Sequence, residues 1–206
     1  DIRLAMLIAL IHDIGRFEQV KKFDCFIDNE DKEHDHAEFG IQVLFENNLI
    51  RSFVKDNQYD RIILKAIKNH NKYKIEEGLS ERELLHSKLL RDADKIDNFR
   101  VRKTAEYETL FNETEEEVEN EKISDKVFKD FLNHKQIKSK DRKTALDCWV
   151  SYVAWIYDIN YEITKDLIKE TNEIEKLIDR INYRDEETIE RIEQIRKCAI
   201  EYLKWN

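Results

Sequence analysis

The sequence contains no proline and only three glycines, Gly15, Gly40 and Gly78, in 206 residues. Average usage, about 5% Pro and about 7% Gly, would supply about ten and about fourteen. Losing the commonest turn residues and helix breakers argues against a Gly/Pro-rich β-sandwich or barrel and against collagen-like or Gly/Pro-rich disordered classes. Cysteine is scarce as well. Cys25, Cys148 and Cys198 lie too far apart for a CxxC or zinc-ribbon pattern, so they read as reduced thiols of a cytoplasmic protein. Long apolar runs are missing: Met6 to Ile11 is stopped by His12 and Asp13, far short of a membrane span and without the basic flank of a signal peptide. Positive charge is in deficit, 36 Lys and Arg against 45 Asp and Glu, for a net charge of −9. A chain so acidic has no general attraction for long nucleic acids or anionic membranes.

What is present is helical patterning. With 41% hydrophobic residues the chain can bury one sizeable core or two smaller ones, and the expected fold class is all-α. Ile2 to Gly15 is apolar on most faces, as a central buried helix should be. Phe17 to Glu33 lacks a period and reads as a loop, and Ala37 to Ile50 returns to helix. Ile62, Ile63, Ala66, Ile67 and His70 form one stripe at steps of three and four, placing His70 on a core face. Ser80 and Glu83 form a capping box opening a helix past Phe99, with Leu85, Leu89, Ile96 and Phe99 on its apolar side. Six glutamates in Glu113 to Glu121 read as a solvated face or connector. Ser124 caps a short helix through Leu132. An aromatic-rich helix is expected over Ala145 to Ile159, and two more over about Ile163–Ile181 and Glu186–Leu203. The domain division is expected near residue 122, with 1–122 as the core and 123–206 as a helical extension packed on it.

The chemistry-bearing residues are polar outliers on these apolar elements. His12 and Asp13 end an apolar helix, where two ionisable groups are costly to bury without partners. His36 opens the helix of Phe39 and Ile41, His70 continues an apolar stripe, and Asp94 sits in an acidic cluster within a helix. Five such groups on four segments can converge between packed helices, where bundle metal sites are assembled. Imidazole nitrogens with carboxylate oxygens suit Mn²⁺, Fe²⁺, Co²⁺, Ni²⁺ or Zn²⁺ better than Mg²⁺. Each residue alone also fits a bland reading as a core histidine, a helix cap or an ion-paired carboxylate, and His86 and His134 are left at that. Among the basic residues that follow these groups, only Arg16 and Lys95 are expected on the substrate side; the others read as solvated helix surface.

The order of the motifs carries more weight than any single residue. Leu7-Ile-Ala-Leu-Ile-His-Asp-Ile-Gly-Arg-Phe-Glu18 resembles the signature helix of the HD-domain metal-dependent phosphohydrolases. Asp35-His-Ala-Glu-Phe-Gly40, Ile67-Lys-Asn-His70 and Arg91-Asp-Ala-Asp-Lys-Ile-Asp97 follow in the family's order, and the resemblance spans about residues 1 to 105. It implies an all-helical HD core in which His12, Asp13 and Asp94 hold a primary metal, while His36 and His70 complete a second site bridged by Asp13. Arg16, at a position often occupied by Lys in the family, would contact the substrate phosphate. Glu18 would orient other groups or move a proton at the rim, and Lys95 would face the substrate. The family's ligand set opens with a histidine upstream of the His-Asp pair. None precedes His12, and residue 1 is not Met, so that ligand is expected on a segment preceding Asp1.

The expected function is metal-dependent hydrolysis of a small phosphorylated substrate, most simply a nucleotide, with one or two divalent transition-metal ions. Two alternatives stand beside it: a di-iron HD-fold oxygenase, and a non-catalytic sensory or interaction module with a vestigial site. A homo-oligomer is left open. Gly15 is expected to cap the signature helix in the left-handed region, and a close packing contact would explain Gly40 within a helix.

Overall fold

The computed structural model describes residues 1–24 and 35–205. Cys25, His34 and most of the loop expected after Phe23 fall outside the described residues. The described part is all-α, with no strand among the described residues. In chain order the helices are α1 (Ile2–Ile11), α2 (Gly15–Phe23), α3 (His36–Ile41), α4 (Asp60–Asn69), α5 (Glu81–Thr104), α6 (Tyr107–Phe111) and α7 (Glu115–Glu119), followed by α8 (Asp125–Leu132), α9 (Ala145–Val153), α10 (Glu162–Glu170), α11 (Glu173–Ile178) and α12 (Glu186–Trp205). No helix among the described residues is long and apolar enough to cross a membrane.

Two compact units divide the chain, residues 1–94 and 95–206, and the division falls inside α5, earlier than the split near residue 122 that composition suggested. In the first unit, Leu4, Ile8 and Ile11 of α1 join Leu44, Ile50, Ile62, Ile63, Ala66, Ile67 and Leu90 in one core. Only that stripe of α1 is buried; Ile2, Met6 and Leu10 on its other side are exposed, so α1 is not the fully buried helix that its composition suggested. The second unit has its own core, in which Phe99, Phe131, Trp149, Leu177 and Ile195 are buried. The aromatic residues of the ninth helix are therefore packing groups.

Several expectations change in detail. Phe17 to Phe23 is helical: α2 follows α1 after a three-residue turn at His12–Ile14. The helix begun at His36 widens into a π-helical turn at Gln42–Glu46 and gives way to a 3₁₀ turn at Leu49–Ser52. Ser80 and Glu83 do form the reciprocal capping pair, through Ser80 N–H to Glu83 Oε2 at 2.7 Å and Glu83 N–H to Ser80 Oγ at 3.4 Å. The inward face of α5 carries more polar groups beside Leu90 and Phe99 than its pattern suggested. Glu83, His86, Ser87, Arg91 and Lys95 are buried, while Leu85 and Leu89 are each 37% exposed. Ser124 flanks α8 without capping it, because its hydroxyl donates to Asp147 Oδ2 at 2.8 Å. The helix expected over Ile163–Ile181 breaks at Asn172, which adopts φ 51°, a conformation Asn tolerates better than most residues. Gly15 does not cap α1 in the left-handed region; it opens α2 as its first helical residue.

Candidate metal centre

The first unit brings the expected ligand residues together from four places. His12 and Asp13 sit on the turn that ends α1, His36 is the first residue of α3, His70 ends α4, and Asp94 lies on α5. Ligand atoms of His12, Asp13 and His70 lie within 4.8 Å of one another. His12 Nε2 is 3.5 Å from Asp94 Oδ1, and the Nε2 atoms of His36 and His70 are 2.7 Å apart.

Local backbone chemistry aims two of the rings. His12 Nδ1 lies 2.7 Å from the Ala9 carbonyl and His70 Nδ1 lies 2.6 Å from the Ile67 carbonyl. Each carbonyl lies three residues back, in the last turn of its helix, where acceptors are left over. A carbonyl accepts only from N–H, so the proton of each neutral ring sits on Nδ1 and the Nε2 lone pair faces the cluster, the arrangement usual for a metal-bound histidine.

Asp13 divides its carboxylate between two sides. Oδ1 faces His36 Nε2 at 3.2 Å and His70 Nε2 at 3.8 Å, whereas Oδ2 faces His12 Nε2 at 3.7 Å and Arg16 Nε at 3.1 Å. Electrostatics hold these groups in ligand-ready states. Burial opposes ionisation of Asp13, but the neighbouring His36 and the charges of Arg16 and His12 hold its carboxyl well below the usual range. Asp94 is likewise lowered against its burial by the neighbouring His12 and His70. Burial, reinforced by His36, pushes His70 down to about 4, so this ring is neutral at pH 7. His12 moves the other way, because Asp94 and Asp13 outweigh the effect of its burial.

The donor set fits a divalent transition metal. It combines neutral imidazole nitrogens with ionised carboxylates. More directly, His12 Nε2 and Asp13 Oδ1 are buried without a hydrogen-bond partner. Buried polar atoms without partners are rare and cost about 1–3 kcal/mol each; a cation in this cluster would satisfy both.

The other expected residues fall elsewhere. Arg16, the second residue of α2, reaches Asp13. Glu18 pairs with Lys21 at 3.7 Å. Lys95 is buried, with its ammonium 2.7 Å from Asp158 of the same unit. His86 is buried apart from the ligand set, 3.6 Å from Asp1, and His134 packs against the rings of Tyr157 and Tyr202. Sequence reasoning overlooked Asp35 and Arg91. Asp35 accepts from the backbone N–H groups of Ala37 and Glu38 and from Asn71 Nδ2, and pairs with Lys72. Arg91 donates to the carbonyls of Asn69 and Lys72.

Helices that gather imidazoles and carboxylates around buried, partnerless ligand atoms define a domain with a candidate divalent-metal centre. Residues 1–99, just under half of the chain, match the family model of the HD domain. Comparisons with curated proteins and with solved structures return no match.

Proposed function

We propose that this HD domain hydrolyses a phosphoester bond in a small phosphorylated substrate, a nucleotide being the simplest, in the cytoplasm. The observation that carries the reading is the pair of buried, partnerless ligand atoms, His12 Nε2 and Asp13 Oδ1, among four segments that follow the family's motif order. His12, Asp13 and Asp94 would hold one cation. His36 and His70, together with Asp13, would hold a second. Mn²⁺, Fe²⁺, Co²⁺, Ni²⁺ and Zn²⁺ all suit this donor set better than Mg²⁺.

Bound divalent cations supply a water of lowered pKa and positive charge against the phosphoryl oxygens. The protein's own residues do the rest. The Ala9 and Ile67 carbonyls fix the ring orientations of His12 and His70. Arg16, held beside the cluster by Asp13, would meet charge developing on the phosphoryl group. Glu18 would accept or relay a proton at the rim of the site.

The test is hydrolysis of a chromogenic phosphomonoester, a phosphodiester and a nucleotide panel with Mn²⁺, Co²⁺ or Ni²⁺. Turnover should depend on the metal, vanish on chelation and fall at least 100-fold in Asp13→Asn. Metal-loaded protein that cleaves none of them would overturn the reading.

A further inference from the structure

The turn that follows α4 is clamped from two sides by buried charged residues, and each clamp ties it to another element that carries a candidate ligand. On one side stands Asp35, the residue before α3. Its Oδ1 accepts from Ala37 N–H at 3.0 Å and Glu38 N–H at 3.4 Å, which caps α3, and from Asn71 Nδ2 at 2.8 Å; its Oδ2 pairs with the Lys72 ammonium. One carboxylate therefore joins the first turn of α3, where His36 sits, to the two residues that follow His70.

On the other side stands Arg91 of α5. Its Nη1 donates to the carbonyls of Asn69 at 2.7 Å, Lys72 at 2.6 Å and His70 at 3.3 Å. These carbonyls lie at and beyond the end of α4, where helix acceptors go unused and a cation is favoured. Arg91 precedes Asp94 by three residues on the same helix, so the two share a face. The guanidinium therefore registers the segment of His70 against that of Asp94. Asn69 stiffens the same turn, donating to the Lys65 carbonyl and accepting from Glu76 N–H, each at 2.8 Å.

We propose that Asp35 and Arg91 are positioning residues that set the spacing of His36, His70 and Asp94 for cation binding by clamping the 69–72 turn to α3 and to α5. The inference rests on the metal reading above. Neither residue need touch a cation. Both are buried at 6% and 2% exposure, and burying two such charges is costly unless they are held by fixed partners, as these are. Groups that hold ligands in place commonly change metal affinity 10- to 100-fold when removed.

Co²⁺ serves as the probe, because its visible absorption reports coordination geometry and its titration gives stoichiometry and affinity without turnover. In Asp35→Asn the helix cap keeps an acceptor while the negative charge facing the Lys72 ammonium is lost, and in Arg91→Met the three carbonyls lose their donor. Both should bind Co²⁺ about 10-fold more weakly or worse, with an altered spectrum. Arg91→Lys, which keeps a cationic donor, should recover part of the loss and covers the case in which Arg91→Met does not fold. Asp147→Asn is the control: that buried carboxylate accepts from Ser124 N–H at 2.8 Å and Lys143 N–H at 2.9 Å in the second unit, so it should lower stability and leave the Co²⁺ titration and spectrum unchanged.

Wild-type affinity and spectrum in Asp35→Asn and both Arg91 variants would overturn the positioning role and leave the metal reading standing. Equal weakening in Asp147→Asn would overturn it too, by reducing the effect to lost stability. A wild-type protein that binds no Co²⁺ would overturn the metal reading and this inference with it.

Discussion

Gly15 and Gly40 meet backbone to backbone. A Cβ on Gly15 would stand 2.2 Å from Gly40 N and 2.0 Å from the His36 carbonyl oxygen, whereas a Cβ on Gly40 would have nothing nearer than 3.6 Å. The contact brings α2 against the helix that begins with His36, so a glycine beside the His-Asp pair is what lets the two ligand-bearing segments approach. The demand falls on Gly15 alone.

Gly15→Ala is therefore expected to destabilise the protein by about 3 kcal/mol or more, since the obstructing atoms are backbone and cannot swing aside. Gly40→Ala is expected to be neutral or to gain up to about 1 kcal/mol, because its methyl group meets only ordinary contacts and alanine favours a helix. Urea unfolding of the two variants decides it. Equal costs at the two positions would show that the close approach is not the constraint.

Protonation of His70 gives a pH signature in metal-free protein. Its folded pKa lies at about 4 against an ordinary 6.5. Above pH 6.5 neither folded nor unfolded chains bind the proton, and the contribution is complete. As pH falls from 6.5 towards 4, the unfolded chain takes up a proton that the folded chain refuses, so stability is lost over that window. At about 1.4 kcal/mol per pH unit, wild type should lose about 2 kcal/mol between pH 7 and pH 5 relative to His70→Gln, both measured with chelator. A difference that stays flat across this range would mean that His70 titrates normally.

Metal should stabilise the first unit selectively. A ligand that binds only the folded state at 100 times its Kd contributes about 2.7 kcal/mol. Mn²⁺ or Co²⁺ should slow amide exchange around His12–Asp13, His36, His70 and Asp94, and leave Trp149 to Val153 in the second core unchanged. Asp13→Asn should abolish the protection, because both sides of the cluster lose a carboxylate at once. Protection spread evenly over both units would point to non-specific binding instead.

The five candidate ligands were legible because each is a polar group interrupting an apolar pattern, and because their segments keep one order. The clamps around them were not. Asp35 and Arg91 act on backbone groups of a turn, and no spacing rule reports such contacts. Arg91 also sits among polar groups on the buried face of α5, whereas Leu85 and Leu89, the apolar stripe that the spacing suggests, are each 37% exposed. Gly15 was recognised as special for the wrong reason: close approach, not positive φ, requires it. The break at Asn172 escaped notice because the chain turns there without glycine or proline. All-helical class was plain from composition, while the boundary inside a continuous helix could not be seen where no linker marks it.

Lys95 shows how adjacency misleads. It follows Asp94 directly, but successive helical residues point about 100° apart, and its ammonium pairs with Asp158, the two side chains being 9% and 17% exposed. A structural ion pair makes a prediction opposite to a substrate contact. Lys95→Met should cost about 3 kcal/mol, because it leaves the Asp158 carboxylate buried without this partner. Pairing it with Asp158→Leu should recover most of that loss, since removing both charges also removes their desolvation cost. Thermal and urea unfolding give the stabilities. KM for a phosphoester substrate, measured on the folded double variant, should stay within about twofold of wild type. A double variant of restored stability with KM raised tenfold would return Lys95 to the substrate.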